Sequence, residues 1–202
     1  MSSAFLKMLE KYQREKLSQF ASEPAKTEPC LLFLGDSIMD LFKTEQLITQ
    51  LTLVNRGISG IDTSFLLDHF DEITRGILPE KIFLLIGTND LGQGEDPLSI
   101  YCRIDELCHR LSETFPQAQL YLQSVYPTHD SREFSETVGS RTNDRIEQLN
   151  QLLQGTRGVT YLDIHDKLID LTGQLDKSYT TDGLHLSPLG YDQVAEVLET
   201  LL

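Results

Sequence analysis

Apolar residues fall into two alternating kinds of segment along the chain. Short continuous runs occupy 30–35, 51–55, 81–87, 118–126 and 159–164, rich in Val, Ile, Leu, Phe and Tyr and bounded by Gly, Asn, Asp or Pro. Continuous rather than alternating hydrophobicity is the pattern of strands covered on both faces. Between the runs the period becomes helical. Ile100, Ile104, Leu107 and Leu111 share one helix face, as do Ile146, Leu149, Leu152 and Leu153, and again Tyr191, Val194, Ala195, Leu198 and Leu201. Pro97 and Pro188 stand where a first helical turn accepts proline. Strand–helix alternation of this kind predicts an α/β protein with a parallel sheet and helices on both faces. No repeat, linker or composition break interrupts it. One domain over 1–202 is expected, with 1–28 a helical extension packed on it through Phe5, Leu9, Tyr12 and Phe20.

Composition narrows the class. The chain has 202 residues, 40% hydrophobic and 24% charged, which excludes collagen, low-complexity disorder and a disulfide scaffold. Lys and Arg number 17 against 31 Asp and Glu, a net charge of −14 that argues against nucleic acid and anionic membrane surfaces as partners. The odd cysteine count, Cys30, Cys102 and Cys108, suits free thiols in a reducing compartment. Cys108 continues the apolar face of Ile104 and Leu111 and is expected in the core. The apolar runs are too short to span a bilayer, and 1–20 lacks the central apolar stretch of a signal peptide. A cytoplasmic protein without a stable membrane anchor is expected.

In open parallel sheets ligands bind beyond the carboxyl ends of the strands, so the residues following each run carry the chemistry. They are Gly35-Asp36-Ser37-Ile38, Asn55-Arg56-Gly57-Ile58-Ser59-Gly60, Gly87-Thr88-Asn89-Asp90, Tyr126-Pro127-Thr128 and, before the last helix, Asp182-Gly183-Leu184-His185-Leu186-Ser187-Pro188. Ser37 stands at a helix start, where serine is ordinarily a cap but where a nucleophile would also be well presented. His185 is the candidate base, with Asp182 three residues earlier to orient it. The Gly57 amide, the Asn89 carboxamide and the Ser37 amide are candidate donors to an oxyanion. The loop 127–141, with His129, Asp130, Arg132 and Glu133, is expected to border the site beside Leu91 and Tyr126; Ile38, Leu91 and Tyr126 are candidate substrate contacts.

These blocks resemble those of the SGNH or GDSL hydrolases, and nearest among them the small esterases similar to platelet-activating-factor acetylhydrolase. Gly35-Asp36-Ser37-Ile38 looks like the first block, with isoleucine where the family name has leucine. The other three follow in order, so the resemblance covers most of the chain. It implies a three-layer α/β/α sandwich with a flavodoxin-like, parallel five-stranded sheet. It also implies a serine esterase with Ser37, His185 and Asp182 as triad, and with Ser37, Gly57 and Asn89 as oxyanion hole. No metal or other cofactor is implied, and the site should be shallow, since no long insertion exists to cover it. The expected substrate is a small-molecule short-chain ester, acetyl esters foremost.

Three other readings remain open at this level. A lysophospholipase or lipase-like acylhydrolase would use the same residues on longer acyl chains. A flavodoxin-like binding module would need a phosphate cradle, for which Gly57-Ile58-Ser59-Gly60 is too short and wrongly placed. Metal-assisted hydrolysis would have to use Asp36, Asp182 and His185. A homo-oligomer is also left open.

Overall fold

The computed structural model describes residues 3–202; the first two positions of the 1–28 extension lie outside them. The chain opens with helix α1 (Ser3–Ser22), followed by strand β1 (Cys30–Gly35) and a single turn of helix, α2 (Ser37–Asp40). Strand β2 (Thr52–Asn55), helices α3 (Thr63–Asp68) and α4 (Phe70–Thr74), strand β3 (Pro79–Leu85) and helices α5 (Thr88–Gly92) and α6 (Pro97–Thr114) come next. The second half contains β4 (Gln119–Gln123), α7 (Ser135–Val138), α8 (Asn143–Leu153), β5 (Thr160–Leu162), α9 (His165–Leu168) and α10 (Pro188–Glu199).

The five strands form one sheet in the order β2-β1-β3-β4-β5, and every neighbouring pair is parallel. This is the flavodoxin-like order, with β1 between the two directions in which the sheet grows. Both faces are covered, as the continuous hydrophobicity requires. Along β1, Cys30, Leu32 and Leu34 join a core shared with residues of α1, α3, α4, α6 and α8, whereas Leu31 and Phe33 join one shared with residues of α2, α9 and α10. On that second face the rings of Phe33, Phe83 and Tyr121 stack across three strands at centroid spacings of 5.0 Å. Pro97 and Pro188 open α6 and α10, capped by Asp96 and Ser187. Cys108 is buried in the core, as expected, Cys30 is likewise buried, and Cys102 is exposed.

Strands β3, β4 and β5 end earlier than their apolar runs. Ile86, Val125, Tyr126 and Ile164 lie beyond the strand ends yet remain buried, because the connections at that edge are packed. Among the described residues, no helix is long and apolar enough to cross a membrane.

Helix α1 packs on the sheet through Leu17 and Phe20, and Arg56 closes the contact, its guanidinium 4.1 Å from the Phe20 ring centroid and 2.9 Å from Glu23. Phe5, expected in that contact, is instead 43% exposed. Asp40 is the node between α1, α2 and the loop after β2. It accepts from Tyr12 Oη at 2.6 Å, Ser59 N–H at 3.0 Å and Ser59 Oγ at 2.6 Å, and pairs with Lys16 at 2.8 Å. Asp40→Ala strands those donors and should lower unfolding free energy by about 1–3 kcal/mol. Urea denaturation reads this; an unchanged midpoint would contradict the role given to Asp40.

Candidate active site

Residues Gly35 and Leu85 are paired at the ends of β1 and β3, so the turns that follow leave one edge of the sheet side by side. The first is shaped by an absent side chain: a Cβ on Gly35 would lie 2.0 Å from the Leu85 carbonyl oxygen. Asp36, not Ser37, caps α2, its Oδ1 accepting the Ile38 N–H at 2.9 Å. Ser37 therefore takes the first helical position, where its N–H has no intrahelical acceptor and its hydroxyl is free of capping. Helix α10 holds this turn from the far side, Tyr191 Oη donating to Ile38 O at 2.7 Å and its ring stacking on Phe42.

Ser37 Oγ lies 3.0 Å from His185 Nε2, and His185 Nδ1 lies 2.7 Å from Asp182 Oδ2. The other carboxylate oxygen, Oδ1, accepts the His185 and Leu184 backbone amides at 2.8 and 3.0 Å. Burial works to raise the Asp182 carboxyl, but the His185 ring and those amides outweigh it and hold it below the ordinary value. An ionised carboxylate only accepts, so the proton sits on Nδ1 and leaves the Nε2 lone pair facing the serine hydroxyl. Thr180 braces this segment: its Oγ1 donates to His185 O at 2.8 Å and accepts the Gly183 N–H at 2.9 Å. The His185 and Asp182 side chains are 29% and 34% exposed, so the site is open at the sheet edge.

Asn89 sits in the first turn of α5. Its Nδ2 donates to Ile61 O at 2.8 Å, which joins it to the loop after β2, and its Oδ1 accepts from Arg141 Nη2 at 3.0 Å. Gly57 departs from expectation. Its N–H donates to Asn55 Oδ1 at 2.8 Å, and a Cβ there would lie 2.3 Å from Asp40 N. Glycine at 57 lets the loop press on α2, and its amide is already engaged. Gly60, three residues on, turns the loop at a φ of +78° beside Ile61, and its N–H finds no acceptor among the described residues.

The three candidate substrate contacts are corrected by burial. Ile38 is 2% exposed, Leu91 0% and Tyr126 2%. Ile38 and Tyr126 belong to the core under α10, where Tyr126 Oη donates to Gln123 Oε1 at 2.6 Å, and Leu91 belongs to the opposite core. Their side chains serve packing instead. The loop 127–141 does border the site. His129 N–H donates to Gly183 O at 2.8 Å, and a Cβ on Gly183 would meet Phe134 Cβ at 2.6 Å. Sequence reasoning passed over Arg141 and Gly60. The second glycine of the Asn55–Gly60 segment was a visible signal, whereas an arginine in a polar loop gave none.

The match with known proteins follows this geometry. Residues 33–193 match the GDSL-like Lipase/Acylhydrolase family, and the chain belongs to that family; it is a carboxylic ester hydrolase. It is similar to the human platelet-activating factor acetylhydrolase IB subunit alpha1, 26% identical over 196 residues that span 91% of this chain and 80% of that protein. A solved structure described as a platelet activating factor from Streptococcus pneumoniae is 32% identical, with a TM-score of 0.90 over 100% of this chain and 99% of that one. A GDSL-like lipase from Bacteroides thetaiotaomicron shares the fold at 21% identity, with a TM-score of 0.72 over 96% of each chain.

Asp36 makes the site sensitive to pH through stability. Fully buried, with Oδ2 lacking a partner, its carboxyl is pushed up to about 6 by burial, against the pull of the Ile38 amide and of His185. The folded value lies above the unfolded 3.8, so this group's stabilisation is complete below the unfolded value and is lost as pH rises through about 6. The loss amounts to about 3 kcal/mol. Asp36→Asn keeps the cap and cannot ionise, so its Tm relative to the parent should climb between about pH 4 and pH 7 and then level off. A difference that stays flat across that range contradicts the buried, raised carboxyl.

Proposed function

We propose that the protein hydrolyses short-chain carboxylic esters, acetyl esters foremost, through an acyl-serine intermediate. The observation that carries this reading is the hydrogen-bonded line from Ser37 Oγ through the His185 ring to Asp182, at 3.0 and 2.7 Å. Ser37 Oγ attacks the ester carbonyl as His185 Nε2 takes its proton, and Asp182 steadies the imidazolium that forms. The tetrahedral oxygen is received by the Ser37 N–H and the remaining Nδ2 hydrogen of Asn89. For the backbone donor of the second block, the uncommitted Gly60 amide replaces Gly57. His185 then protonates the leaving alcohol, and water activated by the same ring releases the acid.

Support for a short acyl group comes from the open, uncovered setting of His185 and from the acetylhydrolase named among the relatives. The substrate is a small-molecule ester, and neither a cofactor nor a nucleic-acid partner enters this scheme.

The test is the hydrolysis of p-nitrophenyl esters from acetate to octanoate, with Ser37→Ala and Asn89→Ala beside the parent. Acetate or butyrate should be preferred, Ser37→Ala should remove turnover by several orders of magnitude, and Asn89→Ala should lower kcat by about 10²–10³-fold. A preference for octanoate would replace this reading with the lipase-like one, and turnover indifferent to Ser37 would overturn the mechanism.

A further inference from the structure

Arg141, two residues before α8 and the last residue of the segment 127–141, turns inward beneath the oxyanion side of the site. Its Nε donates to Thr88 O at 2.9 Å, its Nη1 to Thr137 O at 3.2 Å and Val138 O at 3.1 Å, and its Nη2 to Asn89 Oδ1 at 3.0 Å. Helix α5 makes room for it: a Cβ on Gly92 would lie 2.3 Å from the guanidinium carbon, so bare backbone covers the cation. The loop is fastened on either side, Ser140 Oγ donating to Gly92 O at 2.7 Å and Thr128 Oγ1 to Arg141 O at 3.0 Å. Among the described residues no carboxylate lies within ion-pair distance of Arg141; its donors face carbonyl oxygens and the Asn89 amide.

A carboxamide can turn over, exchanging donor for acceptor, and an Asn89 oxygen facing the substrate would repel the developing oxyanion instead of receiving it. Two neighbours fix which way Asn89 faces. Arginine can only donate, so Oδ1 must point at Arg141; the Ile61 carbonyl can only accept, so Nδ2 must point at it. One Nδ2 hydrogen then remains for the substrate. A cation on Oδ1 also draws electron density from the amide and makes that hydrogen a better donor.

We propose that Arg141 is a positioning residue for the oxyanion hole: by holding and polarising the Asn89 carboxamide it keeps a donor aimed at the carbonyl oxygen without touching substrate itself. This rests on the esterase reading above. It gives the loop 127–141 a task in the reaction, and it connects α5 with the strap that also supports Gly183.

The experiment is a double-substitution cycle on p-nitrophenyl acetate hydrolysis, with the parent, Arg141→Met, Asn89→Ala and the pair. Arg141→Met should lower kcat by about 10–10²-fold with KM held within about twofold, since only transition-state stabilisation is lost. In the Asn89→Ala background the same substitution should cost less than about twofold, because the group it acts through is gone. The pH profile of kcat/KM should not move, His185 and Asp182 being untouched. Free guanidinium at non-denaturing concentration should restore part of kcat to Arg141→Ala. Parental kcat in Arg141→Met, or effects that multiply fully in the pair, would overturn the proposal. Should Arg141→Met fail to fold, Arg141→Lys, which keeps the cation and loses the planar fork, is read by the same cycle. Parental turnover that is absent or indifferent to Ser37→Ala would sink the esterase reading; Ser37-dependent turnover with a parental Arg141 variant sinks only the role of Arg141.

Discussion

Where β1 ends, main chains meet without room for a side chain between them. A Cβ on Gly35 would strike the Leu85 carbonyl oxygen at 2.0 Å, and one on Gly57 would strike Asp40 N at 2.3 Å. Strand β1 is held on both sides up to this point: Ile58 N–H reaches Gly35 O at 3.0 Å and Arg56 N–H reaches Phe33 O at 2.8 Å from the segment after β2, and the pairing with β3 runs on to Gly35 and Leu85. Such close approach sends the turn after β1 straight into α2 and fixes Ser37 at the edge. It also brings the loops after β2 and β3 within hydrogen-bonding distance of each other, Asn89 to Ile61. The site thus inherits its geometry from backbone packing, while the hydrogen bonds of its side chains refine it.

Two buried acids on either side of this convergence do different work. Asp40 is surrounded by donors from α1 and the loop after β2, and it fastens the N-terminal helix to the edge that carries Ser37. Asp36 has one amide partner and one orphan oxygen, and burial raises it. A capping carboxyl at this turn opens α2 and releases the Ser37 hydroxyl from that duty, at some cost in stability where the carboxyl ionises.

Much of the fold could be read from the chain. Continuous apolar runs placed the strands and helical periods placed α6, α8 and α10, because both patterns follow from burial on one or two faces. The strand ends were less legible: Ile86, Tyr126 and Ile164 are as apolar as strand residues but lie in packed connections. At the site, the grouping of Ser37, His185 and Asp182, and the place of Asn89 at the same sheet edge, were legible because residue type at a given spacing marks them. The engagement of the Gly57 amide was not legible, because it depends on where Asn55 places its side chain, which spacing does not encode. Ile38, Leu91 and Tyr126 follow strand ends that lead to the site, but apolar residues at a packed edge satisfy the core first. Arg141 was invisible for a similar reason. Its partners are mostly backbone carbonyls, and these leave no mark in a sequence.

The central claim is covalent chemistry at Ser37, and it is tested most directly by trapping the intermediate. The protein is mixed with p-nitrophenyl acetate, quenched in acid within the first turnovers, digested and mapped by mass spectrometry. The account predicts one acetyl group per chain, on the peptide bearing Ser37, with the label lost on further incubation before the quench and absent from Ser37→Ala. Turnover with no label at Ser37, or with a label on another residue that persists in Ser37→Ala, would contradict it.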